Sequence, residues 1–155
     1  MCYIVTEREL VQGAKDYFSQ IKNTDYLINR LTDTVSILRS SLTSIGNDLK
    51  PDKIQSSKVT DTMSATIDKI VDFENEINAY IDALVDLKRE ALERINKISD
   101  LNQRNVLIAK YVNGLKWEYI AHDLNFSMRQ IHRIHGAALV DFAKQNPDII
   151  KDGTL

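Results

Sequence analysis

The sequence predicts an all-α protein in two parts: a long N-terminal antiparallel helical hairpin of coiled-coil type, and a smaller C-terminal domain of short helices. Three observations carry this expectation: scarce helix breakers, a sustained apolar repeat of about 3.5 residues, and recurring helix-start signals. The 155 residues include five glycines and two prolines. Those seven make up about 4.5 per cent of the chain, where average usage is roughly 12 per cent. An all-β fold would need turn residues every 8–12 positions or so, and long stretches here have none.

The first long helix opens at Thr6, where Glu9 three positions on completes a capping-box pattern. Apolar residues then alternate in steps of four and three: Leu10, Ala14, Tyr17, Ile21, Ile28, Leu31, Val35, Leu38, Leu42, Ile45 and Leu49, with Thr24 the polar exception. Such a stripe keeps one face against a partner helix. Ser, Thr and Asn become frequent from Ser40 to Ser57, with Gly46 and Pro51 among them. The helix is therefore expected to end near residues 41–45, and a linker to span about 42–60.

A second run begins around Thr60–Thr62 and lasts to about Ser99. Its stripe is Met63, Ile67, Ile70, Phe73, Ile77, Tyr80, Ile81, Leu84, Leu87, Ala91, Ile95 and Ile98. Acidic residues (Asp61, Asp68, Asp72, Glu74, Glu76) come early and basic ones (Lys88, Arg89, Arg94, Lys97) late. That order suits the dipole of one continuous helix. At 1.5 Å per residue each helix would be about 55 Å long. Packed antiparallel, the pair makes residues 1–99 a helical hairpin. Two helices leave apolar surface uncovered, so a homodimer or higher oligomer through the hairpin is expected, with a monomeric hairpin folded back on the C-terminal domain as the alternative.

Composition bounds the rest. Apolar residues are 43% and charged residues 27% of the chain, which suits a folded protein rather than a disordered one. The net charge of −2 hides an asymmetry. Residues 1–100 hold 13 Lys and Arg against 17 Asp and Glu, whereas residues 101–155 hold seven against five and all three histidines. An acidic body with a mildly basic end fits a chain whose end meets a polyanion. The lone Cys2 excludes an internal disulfide and fits a reducing cytosol. The N-terminus lacks the basic-then-apolar pattern of a signal peptide, and no apolar run is long enough to span a membrane. A cytoplasmic protein is expected, with no membrane partner.

From Asp100 the pattern changes. Asp100 and Gln103 open a helix to roughly Val112, and Asn113-Gly114 ends it, with Gly114 suited to a left-handed cap. A short helix follows over Trp117–Leu124, then Asn125 and Phe126, then Ser127 as N-cap with Gln130 three residues on. The last helix runs from Met128 to about Lys144. The layout predicts a helix-turn-helix over residues 100–146, with 147–155 as a tail. Ala121 stands where the two helices approach closely, and Asn125 four residues later tolerates the positive φ of the turn. Ile131, ten residues after Ala121, points back into the core with Ile120, Leu124, Phe126 and Ile134.

If Ile131, Ile134 and Ala138 face inward, Arg129, His132, Arg133 and Gly136 face outward, with Met128 and Gln130 near the helix start. Arg129, Gln130 and Arg133 are the expected base readers, because Arg bonds guanine bidentately and Gln pairs with adenine. His132 is expected on a base or a phosphate. Lys110, Lys116 and Trp117 are expected to position the domain on phosphates, with a packing role for Trp117 weighed beside that. His122, His132 and His135 lie close in sequence, but no cysteine completes a tetrahedral set, so no metal and no cofactor are expected. No glycine-rich phosphate loop or activated nucleophile is visible either, so an enzyme is not expected.

The run YVNGLKWEYIAHDLNFS, Tyr111 to Ser127, resembles region four of sigma factors, which is shared by phage-encoded regulators of the ArpU/RinA type. The stretches IVDFENEI from Ile70 and LVDLKRE from Leu84 are similar to the same group. Its members pair an N-terminal coiled-coil region with a C-terminal sigma-like helix-turn-helix. The resemblance is strongest over about residues 65–140. It implies an activator of phage late genes (packaging, morphogenesis or lysis) in a bacterial cytoplasm, acting on double-stranded DNA either as a symmetric dimer on a two-fold site or by engaging host RNA polymerase at a promoter. Lys116 departs from the pattern by standing where a capping Ser or Thr is usual, and Asn125 by replacing the usual turn glycine. Two other readings stand beside this one: a DNA-packaging component of small-terminase type, and a helical protein–protein adaptor.

Overall fold

A computed structural model describes residues 4–47 and 56–150. Cys2, Leu49, Pro51, Gly153 and residues 151–155 of the expected tail lie outside the described residues. The described chain is all-helical, without a strand. Helix α1 spans Glu7–Asn47 and α2 spans Ser56–Ile95. Then come α3 (Leu101–Leu107), which continues into a π-helical turn (Ile108–Val112), α4 (Trp117–Asp123), α5 (Met128–Gln145) and a 3-10 turn (Pro147–Ile149). Helices reach well into the segment expected as linker, since residues 42–47 and 56–60 are helical. Ser40, Ser41, Thr43 and Ser44 each bond a carbonyl four residues back, so these hydroxyls ride on the helix instead of competing with it.

The α1 cap forms as a reciprocal pair. The Thr6 N–H donates to Glu9 Oε2 at 2.7 Å, and the Glu9 N–H donates to Thr6 Oγ1 at 3.3 Å. By contact, Met1–Asn23 with Val85–Leu155 forms one compact unit and Thr24–Leu84 a second. Both long helices contribute to both units.

Within the second unit, Thr24, Ile28, Leu31, Val35, Leu38, Leu42 and Ile45 are buried or half-buried on α1. On α2 the withdrawn positions are Val59, Met63, Thr66, Ile70, Phe73, Ile77, Tyr80 and Leu84, with Glu74 beside them. Ile67 and Ile81, assigned to the stripe from sequence, are exposed. A strict seven-residue seam takes Thr66 and Tyr80 and leaves the isoleucine after each on the flank. An ion pair between Arg39 and Glu74 joins the two helices in this unit.

In the first unit α1 buries a wider arc: Ala14, Phe18 and Ile21, with Tyr17 half-buried. Phe18 stacks on Tyr111 at 4.3 Å between ring centres and meets Phe142 at 4.6 Å. The C-terminal end of α2 adds Ala91 and Ile95 to the buried residues. Asn146, which ends α5, is fully buried. Its Nδ2 donates to Phe142 O at 2.9 Å and to Arg94 O at 3.4 Å, while its Oδ1 accepts from Lys97 Nζ at 3.1 Å. Arg94, paired with Glu90 and Asp148, holds the Asp148 carboxyl below its usual range.

No helix among the described residues is long and apolar enough to cross a membrane.

Candidate nucleic-acid interface

The candidate surface is built on the packing of α3, α4 and α5. Val106, Ile120, Ala121 and Ile131 form its buried centre, with Leu115, Trp117, Leu124, Phe126 and Ile134 packed around them. Ala121 is a small side chain buried in this cluster, as a close approach of two helices requires. Asp100 caps α3, its side chain accepting from the Gln103 N–H. The chain then widens to a π turn, in which Asn113 N–H bonds Ile108 O at 2.9 Å. This replaces the plain α-helix expected to Val112. Gly114 follows at φ +67°, with open space where a Cβ would stand.

The N-cap of α4 is Lys116, whose side chain makes no cap bond. An ammonium has no lone pair to offer the orphan N–H groups. Between α4 and α5 the chain turns at Asn125, the one described non-glycine residue with positive φ, at 56°. Phe126 N–H bonds Ala121 O at 2.9 Å and closes the turn. Helix α5 then opens with a full capping box. The Gln130 N–H donates to Ser127 Oγ at 3.2 Å, and the Ser127 N–H donates to Gln130 Oε1 at 2.9 Å.

The first two turns of α5 bury Ile131 alone, while Arg129, Gln130, His132 and Arg133 are exposed and Met128 is 39% exposed. Arg129 and Arg133, one turn apart, make no ion pair or hydrogen bond among the described residues. Of the residues singled out from sequence, Gln130 has its carbonyl accepting from the Ser127 N–H and its amide protons free of any cap bond. Lys116 is exposed and free of any cap bond. Trp117 is half-buried. Lys110 Nζ sits 4.7 Å from the Trp117 ring centre and donates to Leu115 O at 3.4 Å, so Lys110 and Trp117 form one edge. Among the described residues no group of three His, Cys, Asp or Glu side chains could hold a metal.

A chain of rings joins this surface to the core. Trp117 lies 5.1 Å from His132 and edge-on to His135 at 4.6 Å. His135 Nε2 and the Tyr111 hydroxyl share a hydrogen bond at 2.7 Å, and Tyr111 stacks on Phe18. Burial, then the nearby charges of Lys15, His132 and Lys110, push the His135 imidazole down to about 4. Burial raises the Tyr111 phenol to about 12. Both rings are therefore neutral at physiological pH. Sequence reasoning missed this bond and missed Lys15 of α1, which brings a positive charge beside α5. Nothing within α1 marks Lys15. The adjacent off-seam Phe18 was the available signal that the start of α1 buries a second face.

No family profile matches the chain, and comparisons with curated proteins and with solved structures find no match.

Proposed function

We propose that the chain is a sequence-specific DNA-binding transcription regulator. In this reading α4, the Asn125 turn and α5 are a helix-turn-helix, and α5 enters the major groove. The observation that carries it is the start of α5, where two guanidinium groups with no partner among the described residues stand exposed beside a cap-stabilised helix N-terminus. The dipole of that terminus favours phosphate, and arginine forks suit both phosphate and guanine. Lys116, Lys110 and Trp117 flank it as phosphate-positioning groups, and His132 stands between the two sets. The chemistry proposed is binding rather than catalysis, with no cofactor.

The two long helices act as an antiparallel hairpin that self-associates. Support comes from Ile37 at 68% exposure and from Ile67, Val71 and Ile81, each above 40%. Four-helix pairing of two copies would cover such residues. The resemblance to phage late-gene activators gives the setting: a bacterial host cytoplasm, a promoter of packaging, morphogenesis or lysis genes, and host RNA polymerase as second partner.

Footprinting of the full chain on the DNA upstream of neighbouring genes, with and without RNA polymerase, tests the reading. Protection of a defined site supports it, and polymerase dependence assigns promoter engagement. A chain that protects no DNA in either arm overturns it in favour of a protein–protein adaptor. A closed many-membered ring on sizing would favour a packaging component.

A further inference from the structure

Resting on the reading that the hairpin self-associates, we infer that two copies of this chain pair through one face of α2, antiparallel, about a two-fold axis at position 76. Each withdrawn residue of α2 from Thr66 to Leu84 is followed by a residue on the flank. Those followers are Ile67, Val71, Glu74, Asn78, Ile81 and Val85, spaced in alternating steps of four and three. They repeat the seven-residue pattern of the intrachain seam, turned from it by about 100° around the helix. The second stripe is thus a coiled-coil seam left open. Its four aliphatic residues are 42% to 48% exposed, all on one continuous helix.

The order of residues along the stripe selects the occupant. Reversed about position 76 it maps onto itself: Ile67 falls opposite Val85, Val71 opposite Ile81, and Glu74 opposite Asn78. A two-fold contact has this form, in which residue i meets j and j meets i. Aliphatic residues then meet aliphatic residues at both ends of the seam, and polar residues meet at its middle. The middle is complementary. Arg39 engages Oε1 of Glu74, and Oε2 has no partner among the described residues. The Asn78 side chain is exposed and makes no hydrogen bond among them. The amide of each copy therefore donates to the carboxylate of the other. A parallel pairing would set Glu74 against Glu74, two like charges inside the seam. A polar residue at one seam position is a means of fixing register and partner number. A foreign helix would make no use of the reversal symmetry. Because such a contact closes on itself, assembly stops at two copies and presents the two copies of α5 as a two-fold pair.

Sedimentation equilibrium of the full-length chain without DNA tests this, with a dimer expected. Val71→Glu, and separately Ile81→Lys, sets an unmatched charge against an aliphatic residue of the second copy. Each should raise the dimer dissociation constant by about 100-fold. Both positions are exposed in the single chain, so the far-UV helical signal should not change. An equimolar mixture of the two variants should recover about tenfold or more of that loss, because position 71 of one copy faces position 81 of the other. A chain carrying both substitutions should recover it alone. A parallel pairing sets each position against itself and gives no recovery in either case. A wild-type dimer without recovery overturns the inference and leaves self-association standing. A wild-type monomer overturns both, and a ring of many copies overturns the two-fold contact. None of these results depends on DNA binding, which footprinting reads separately.

Discussion

The Tyr111 hydroxyl lies 2.7 Å from His135 Nε2 and ties the π turn after α3 to the middle of α5. The bond sits where burial first, and then the nearby Lys15 and Lys110 ammonium groups, disfavour imidazolium. His135 thus protonates near 4 in the fold and near 6.5 in the unfolded chain, as is usual for histidine. Between those values the unfolded state binds more protons, so stability falls as pH falls. Urea midpoints should hold steady above pH 7 and begin to drop below about 6.5. In His135→Gln the drop between pH 6.5 and 5 should shrink, before carboxylates dominate. An NMR titration placing His135 near 6.5 would contradict this.

Tight turns at Gly114 and Asn125 make a second prediction. Nothing lies within 4 Å of a Cβ built on Gly114, so its positive φ is the whole cost of Gly114→Ala, about 1 kcal/mol. Asn125→Val should cost more than that, because a β-branched residue resists φ of 56°. Asn125→Gly should be close to neutral. Chemical denaturation of the three variants checks the order.

Lys116→Ser separates stability from binding. Serine can accept the N-cap bond that lysine cannot, which should stabilise α4 by about 1 kcal/mol. If Lys116 meets a phosphate, the same change should reduce the salt dependence of DNA binding by about one counterion. A gain in stability together with a loss in affinity is the expected pair.

Asn146→Ala should be among the more damaging single changes. It deletes donors to Phe142 O and Arg94 O and leaves Lys97 without its Oδ1 partner, at a buried position. Losses of about 2 kcal/mol are usual for unsatisfied buried groups, and thermal unfolding would read it.

Much of the helical pattern was legible because period and capping are local properties. The step-of-three-and-four series from Ile21 to Ile45 matches the withdrawn positions of α1. The capping pairs Thr6–Glu9 and Ser127–Gln130 form as their spacing implied, and Asn125 adopts the positive φ its turn position required. What depends on distant residues was not legible. Phe18 stacks on Tyr111, 93 positions away, and periodicity carries no trace of that pairing. The π turn adds one residue to a helical ring without any breaker to announce it. Gln130 matched two roles at once in sequence, capping partner and base reader. The bond from Ser127 N–H to its carbonyl shows the capping role.

In the proposed function α5 reads DNA through Arg129 and Arg133. Fluorescence anisotropy of a duplex carrying the footprinted site, titrated with the full chain from low to physiological salt, measures that role. Affinity should fall linearly with the logarithm of salt concentration. Arg129→Ala with Arg133→Ala should weaken binding to that site by roughly 100-fold at unchanged fold. Equal binding by the wild-type and doubly substituted chains, or no duplex binding by either, would contradict it.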